Sequence, residues 1–284
     1  MANENSSVFV IADYGVGDPA FAEVNQRIAA LAGNPRIENI SVAPFSTVQT
    51  GFWAYQMALN HNELARILRD GHNPKSYLFL NTAPRKDDAK PRNGNAGEPL
   101  VYAKLEGGME VVGVMSGESF SYLKPIITEF REILVPNEGS QFRSRDIFPQ
   151  ALASIMRSDY SILGNKIEID NIPERIRWLV AHIDGYGNMK LSTAASEAGL
   201  RKGEKISVRL CDKSIDAVYS DGIFHIDDGT LCIAPGSSGK KGDPFLEISE
   251  RSGNAWKRFA SPQVESTVKL MRLTENAKTL RLRV

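Results

Sequence analysis

The sequence predicts an α/β N-terminal domain with a largely parallel sheet, followed by a small antiparallel β-barrel-like C-terminal domain. Three observations lead there. Apolar β-branched runs alternate with helical patterns up to about Arg157. A polar stretch, Leu163 to Pro173, interrupts that alternation. Beyond it, short strand-like segments follow one another with almost no helical periodicity. The expected domains are therefore residues 1–163, the α/β domain, and residues 174–284, the β-barrel-like one.

The first element is the strand-like run Val8 to Ala12, ending at Asp13 and a glycine-bearing turn. Asp18-Pro19 reads as an N-cap and first helical residue of a helix running to Leu31, which Gly33-Asn34-Pro35 stops. Ile37 to Val42 is the second strand, and Ser46 caps a helix holding Phe52, Trp53 and Leu59. A second helical piece spans Asn62 to Arg69 and ends at Gly71. The short strand Tyr77 to Leu80 delivers Asn81-Thr82-Ala83-Pro84-Arg85, and the polar stretch Lys86 to Glu98 reads as an exposed loop. Leu100–Leu105 and Glu110–Val114 are strands joined by a Gly107-Gly108 hairpin turn, and a helical segment is expected after Ser116-Gly117 up to Phe130.

In the second half, strands are expected at Trp178–Ile183, Met189–Ser192, Lys205–Leu210, Ala217–Tyr219 and Gly222–Ile226. Further strands follow at Thr230–Ile233, Phe245–Ser249 and Val268–Leu273, with a helix only at Gly253–Phe259 and a last apolar stretch at Leu280–Val284.

Composition narrows the function classes. The chain has 284 residues, 42% of them hydrophobic, enough for a large core. Lys+Arg and Asp+Glu both number 34, so no net field draws the chain to nucleic acid or anionic lipid. No apolar run is long enough to span a bilayer, and Met1 to Asn5 does not read as a signal peptide, so a cytoplasmic protein is expected. Cys211 and Cys232 could meet across neighbouring strands or stay as buried free thiols. The four histidines are scattered singly, and no metal-ligand spacing occurs.

Asp13 and Asp18, five residues apart at a strand end, suit a ligand rich in hydroxyls or carrying an amine, and would repel a phosphate. Taken alone, Asp18 reads as a cap, and Asp184, opening Asp-Gly-Tyr-Gly, as a hairpin-turn residue; it is the pair at the strand end that points to a site.

Four motifs in order resemble one family. Asp13-Tyr14-Gly15-Val16-Gly17-Asp18-Pro19 is similar to its Asp-Phe-Gly-x-x-Asp-Pro, and Phe142-Arg143-Ser144-Arg145-Asp146-Ile147-Phe148 to its Phe-His-Gly-Arg-Asp-Ile-Phe. Ile183-Asp184-Gly185-Tyr186-Gly187-Asn188 is similar to Ile-Asp-x-Phe-Gly-Asn, and Gly236-Ser237-Ser238-Gly239, Phe245-Leu246-Glu247-Ile248 and Gly253-Asn254-Ala255 to its Asn-Ser-x-Gly, Leu-Glu-Ile-Ala and Gly-Asn-Ala ending. The family is the S-adenosyl-L-methionine hydroxide adenosyltransferases, relatives of the fluorinase and chlorinase enzymes. The resemblance implies S-adenosylmethionine as substrate or ligand, no separate cofactor, and a homotrimer with sites shared between subunits.

Carried over by position, the resemblance implies that Asp13 holds the ribose diol, and Asp18 and Asp184 accept from the methionine ammonium. Ser237 and Ser238 would donate to the methionine carboxylate, and Asn188 and the backbone near Ser252 would face the adenine edge. Phe45, Tyr186 or Trp53 would supply apolar walls. The implied reaction is attack of water at the ribose C5′, releasing methionine and adenosine. The family's water-activating Asp and His are here Asn81 and Arg143, and a usual Gly is Ser144. An amide has no useful basicity and a guanidinium stays protonated, so hydrolysis by another route and binding without turnover both stay open. Arg145-Asp146 reads as an ion pair or helix cap, and Arg85 and Arg92 as solvated loop charges.

Overall fold

The computed structural model describes residues 6–68, 75–83, 97–136 and 142–273. Pro84, Arg85, Arg92, most of the expected polar loop, the end of the helical piece beyond Leu68, Met1 to Asn5 and Leu280–Val284 lie outside the described residues. The chain divides into two units, Met1–Glu174 and Arg175–Val284.

The first unit is built from β1 (Ser7–Ala12), α1 (Pro19–Ala32), β2 (Arg36–Ser41), α2 (Thr47–Ile67) and β3 (Ser76–Asn81), then β4 (Leu100–Leu105), β5 (Glu110–Val114), β6 (Ile127–Ile133), α3 (Arg143–Asp146), α4 (Phe148–Met156) and β7 (Leu163–Lys166). Its sheet has the order β2-β1-β3-β5-β4-β6-β7. The expectation of a largely parallel sheet is corrected here. The β2-β1, β1-β3 and β3-β5 pairs are parallel, whereas β5-β4, β4-β6 and β6-β7 are antiparallel. The cause is local: Gly107 and Gly108, at φ +86° and +88°, turn β4 directly back onto β5.

A second correction concerns the segment after Gly117, expected as helix. It runs through turns and one 3₁₀ turn, Lys124–Ile126, into strand β6. Ser119 Oγ is 2.7 Å from the Ser116 carbonyl oxygen and 3.1 Å from that of Val114, so hydroxyls take carbonyls that a helix would need. The stretch expected as a polar connector also belongs to the first unit. Leu163–Lys166 pairs with β6, Ile172 is buried, and Ile167 and Ile169 pack on the core.

Helix α1 begins at Pro19 under the Asp18 cap and ends at Gly33 in the left-handed conformation. Its Phe21, Val24 and Ile28 cover the face of the sheet carrying Val8, Val10, Tyr77 and Phe79, together with α4. Helix α2, capped by Ser46, joins the two expected helical pieces into one, and its Ala54 and Ala58 cover the opposite face, carrying Ile11, Leu78 and Leu80. The chain thus leaves β1 to one side, reaches β2, and returns across the other face to β3. Between the carboxyl ends of β1 and β3 lies a topological switch point, where sheets of this kind open a crevice.

The second unit contains β8 (Val180–Ile183), β9 (Met189–Ala194), α5 (Ala195–Ala198), β10 (Lys205–Leu210), β11 (Lys213–Tyr219), β12 (Leu231–Lys240), β13 (Asp243–Glu250), α6 (Ala255–Arg258) and β14 (Val268–Arg272). Its order is β14-β10-β11-β12-β13-β9-β8, antiparallel except for a short parallel β11-β12 pairing. The sheet curls as a half-barrel. Leu179 and Thr267, just ahead of the two edge strands, form a bridge, and the Val180 N–H donates to the Ser266 carbonyl at 3.0 Å. The strand expected at Gly222–Ile226 is a 3₁₀ turn, Ile223–His225, beside a bond from Ser220 Oγ to the Gly222 carbonyl. Cys232 is buried but Cys211 is exposed, and both are free thiols, so neither the strand-crossing pair nor two buried thiols is observed.

The hairpin turn gives a test of the mixed sheet. A Cβ on Gly107 would lie 1.7 Å from Asn62 Oδ1, whereas one on Gly108 would meet nothing within 4 Å. Gly108→Ala should cost about 1–2 kcal/mol for the left-handed backbone alone, and Gly107→Ala at least as much, because the Asn62 amide must also swing aside. Urea denaturation of both variants checks this; no loss in either would contradict the hairpin geometry.

Candidate functional site

At the switch point the turn after β1 presents Asp13, Tyr14 and Asp18, and β3 ends in Asn81, the register partner of Ala12. The tyrosine is the hub. Asn81 Nδ2 donates to the Tyr14 hydroxyl at 3.0 Å, and that hydroxyl lies 2.7 Å from Ser144 Oγ in α3. Edge contacts with Phe21 and Phe142, ring centroids 5.0 and 6.0 Å away, fix the ring. Burial pushes the Tyr14 phenol well above its ordinary range. The bond to Ser144 offsets part of this, and the carboxylates of Asp13 and Asp18 add to the rise. Both acids therefore act on the same hydroxyl, which stays protonated near neutral pH.

Asp13 Oδ2 accepts from the Phe45 backbone N–H at 3.0 Å. That bond accompanies a left-handed backbone at Phe45, φ +63°, which leaves its ring 50% exposed. A bulky residue in this conformation is uncommon and is a feature of binding sites as much as of turns. Asp18 Oδ1 accepts from the Ala20 N–H at 2.8 Å, so its role as a cap is realised, and the residue is exposed. Gly15 and Gly17, at φ +91° and +78° with open space at each Cβ position, keep the turn low around Val16.

Ser144 is buried, but Arg143 beside it is committed elsewhere. Its guanidinium stacks over the Phe148 ring, 4.9 Å from the centroid, and Nη1 lies 3.3 Å from the Glu98 carbonyl oxygen. A Cβ on Gly97 would lie 2.5 Å from Nη1, so a side chain there would displace the guanidinium from this seat. Among the described residues Arg143 Nε has no hydrogen-bond partner. Arg145 forms a two-toothed pair with Asp146 (2.7 and 2.9 Å) and reaches Glu23 at 2.7 Å, tying α3 to α1. Trp53 is partly buried against Phe52 and packs on the core.

In the second unit, Asp184 organises the β8–β9 hairpin. Its Oδ1 accepts from the N–H groups of Tyr186 and Asn188 at 2.9 and 3.0 Å, and its Oδ2 from Asn188 Nδ2 at 3.0 Å. Tyr186 stands 80% exposed at the tip. Strand β12 bulges against β13 between Pro235 and Gly239, leaving Ser237 exposed and Ser238 buried. Buried Lys190 in β9 donates to Ser237 Oγ at 3.0 Å and to Glu247 Oε2 at 2.6 Å. Ser252 is exposed, with φ +56°, in the turn after β13.

Within each unit sequence-identified residues thus gather: Asp13, Asp18, Phe45, Asn81 and Ser144 around the β1 turn, and Asp184 with Asn188 in the half-barrel, where Ser237 meets Lys190, a residue the sequence did not single out. Arg143 packs away on Phe148. Sequence reasoning gave no role to Tyr14, Lys190 or Glu247. The Tyr14 hydroxyl could have been flagged, because it stands where the resembled motif has Phe, while its partners Asn81 and Ser144 also depart from that motif. A separate open depression of about 330 Å³, lined by Arg209, Cys211, Ser266, Thr267 and Lys269, shares no residue with either set.

No family model matches the chain, and no curated protein matches it. Among solved structures it is similar to an uncharacterized conserved protein from Thermotoga maritima, with TM-score 0.69 and 18% identity over 93% of this chain and 99% of that one. It is also similar to a conserved hypothetical protein from Thermus thermophilus, with TM-score 0.60 and 17% identity over 93% of this chain and 98% of that one. At such identities the likeness is one of fold.

The hub has a pH signature. A phenol whose ionisation is raised on folding contributes stability that is fully present below about pH 10, its unfolded value, and lost as pH rises toward the folded one. Tyr14→Phe should cost about 1–3 kcal/mol at pH 8 by orphaning Asn81 and Ser144, and lose less further stability between pH 8 and 10.5 than the parent. Denaturant titrations at the two pH values check this; parallel losses would contradict a buried, bonded phenol.

Proposed function

We propose that this chain binds S-adenosyl-L-methionine, or its adenosine part, through the β1 turn, and assembles as a homotrimer. The observation that carries the reading is the turn after β1, which sets Asp13, bonded to the Phe45 N–H, and the cap Asp18 on either side of Tyr14 in the chain at the switch point. A carboxylate accepts both protons of a ribose diol, and two carboxylates favour a sulfonium or ammonium cation. Half-exposed Phe45, fixed by its bond to Asp13, offers an apolar wall. Taken by itself, the half-barrel has the residues to which the resemblance gives a ligand role: Asp184 and Asn188 as acceptors, and Ser237, Ser238 and the backbone at Ser252 as donors.

Binding with at most slow hydrolysis is the favoured form of this reading. The groups nearest the Tyr14 hydroxyl are an amide and a serine, and the phenol itself stays neutral. None takes a proton from water near pH 7, and general-base assistance is typically worth about 10²–10⁴-fold. Attack of water at C5′ remains the second reading, because methionine leaves as a neutral thioether and needs no acid. Alignment and desolvation would then carry the reaction.

Calorimetry with S-adenosylmethionine and with adenosine, and chromatography of the incubated mixture, test both. Saturable binding is expected, weakened about tenfold or more in Asp13→Asn, with adenosine accumulating slowly if at all. No heat with either compound would reject the reading; rapid release of adenosine and methionine would replace binding by catalysis.

A further inference from the structure

The half-barrel holds an ion pair that stability alone does not explain. Lys190 is buried, lies 2.6 Å from Glu247 Oε2, and is the cross-strand neighbour of His182. Such a pair contributes little net stability over apolar residues of the same volume, because both charges lose their hydration. Here the ammonium does something further: it donates to Ser237 Oγ on the β12 bulge. The bulge itself is built for close approach. A Cβ on Gly236 would meet the Phe245 carbonyl oxygen and Glu247 Cβ at 3.1 Å, and Gly239 has φ +100° with the Phe245 nitrogen 2.7 Å from its Cβ position.

A hydroxyl that accepts from an ammonium has its lone pair occupied on that side, so its own proton turns the other way. Among the described residues the Ser237 proton has no acceptor, and the residue is exposed. We propose that Lys190 and Glu247 are positioning residues that fix Ser237 as an outward donor for a ligand carboxylate. Glu247 cancels the lysine charge, so the bulge offers one oriented hydroxyl donor with no added cationic charge behind it, which fits a singly charged carboxylate better than a phosphate. The proposal rests on the reading of Ser237 as part of an S-adenosylmethionine site.

The test uses the full chain and three variants: Ser237→Ala, Ser237→Thr, and the double variant Lys190→Met with Glu247→Gln, which leaves no charge buried alone. Calorimetry compares S-adenosylmethionine with its decarboxylated analogue. Ser237→Ala and the double variant should weaken S-adenosylmethionine about tenfold and leave the decarboxylated analogue unchanged, with Ser237→Thr restoring the parent affinity. Equal weakening of both ligands, or none, would overturn the positioning role while leaving the binding reading intact. If the double variant does not fold, Ser237→Ala against Ser237→Thr still decides whether this hydroxyl meets the carboxylate. Failure of the parent chain to bind either compound would overturn both.

Discussion

The Tyr14 hydroxyl is the point on which the first unit's candidate site depends. It receives the Asn81 amide from the end of β3 and meets Ser144 at the start of α3, so one oxygen joins three segments far apart in sequence. A part-buried phenol left without partners would be costly, and so would the amide and hydroxyl that now face it. The three side chains therefore have to be chosen together. That coupling fixes the β1 turn that carries Asp13 and Asp18 against the end of β3 and the start of α3.

A second polar layer supports the first. Ser46, Thr47, Thr50, Thr82, Ser116 and Ser119 are all buried where α2 begins and where β3 and β5 end. Thr50 and Thr82 hydroxyls lie 2.7 Å apart, Ser116 donates to the Thr82 carbonyl at 2.5 Å, and the Glu118 N–H donates to Thr47 Oγ1 at 3.0 Å. Strand ends leave backbone groups that a purely apolar packing would strand, and these hydroxyls take them up. The crevice edge is consequently held by directional bonds on the side away from the aromatic hub.

Much of this was legible in the chain itself, for identifiable reasons. Asp18-Pro19 and Ser46 marked their helix starts because capping is local chemistry, and Gly107-Gly108 marked the β4–β5 hairpin because a tight reversal needs left-handed backbone. Sheet direction was not legible, since strand periodicity is the same for parallel and antiparallel partners; only the pairing of β4 with both β5 and β6 decides it. The run from Gly117 to Phe130 misled because its buried Phe120, Leu123 and Phe130 imitate a helical stripe while serine hydroxyls divert the backbone. At the site, Asp13 and Asp184 were visible as acids beside turns. The partners of Tyr14 and of Lys190 were not, because they arrive from distant elements through tertiary contact alone.

A crystal structure of the full chain soaked with S-adenosylmethionine decides where the nucleoside sits. A ribose whose two hydroxyls face Asp13 is expected, with the Tyr14–Asn81–Ser144 bonds unbroken. A nucleoside bound away from the β1 turn, or a turn left bare at saturating ligand, would contradict it.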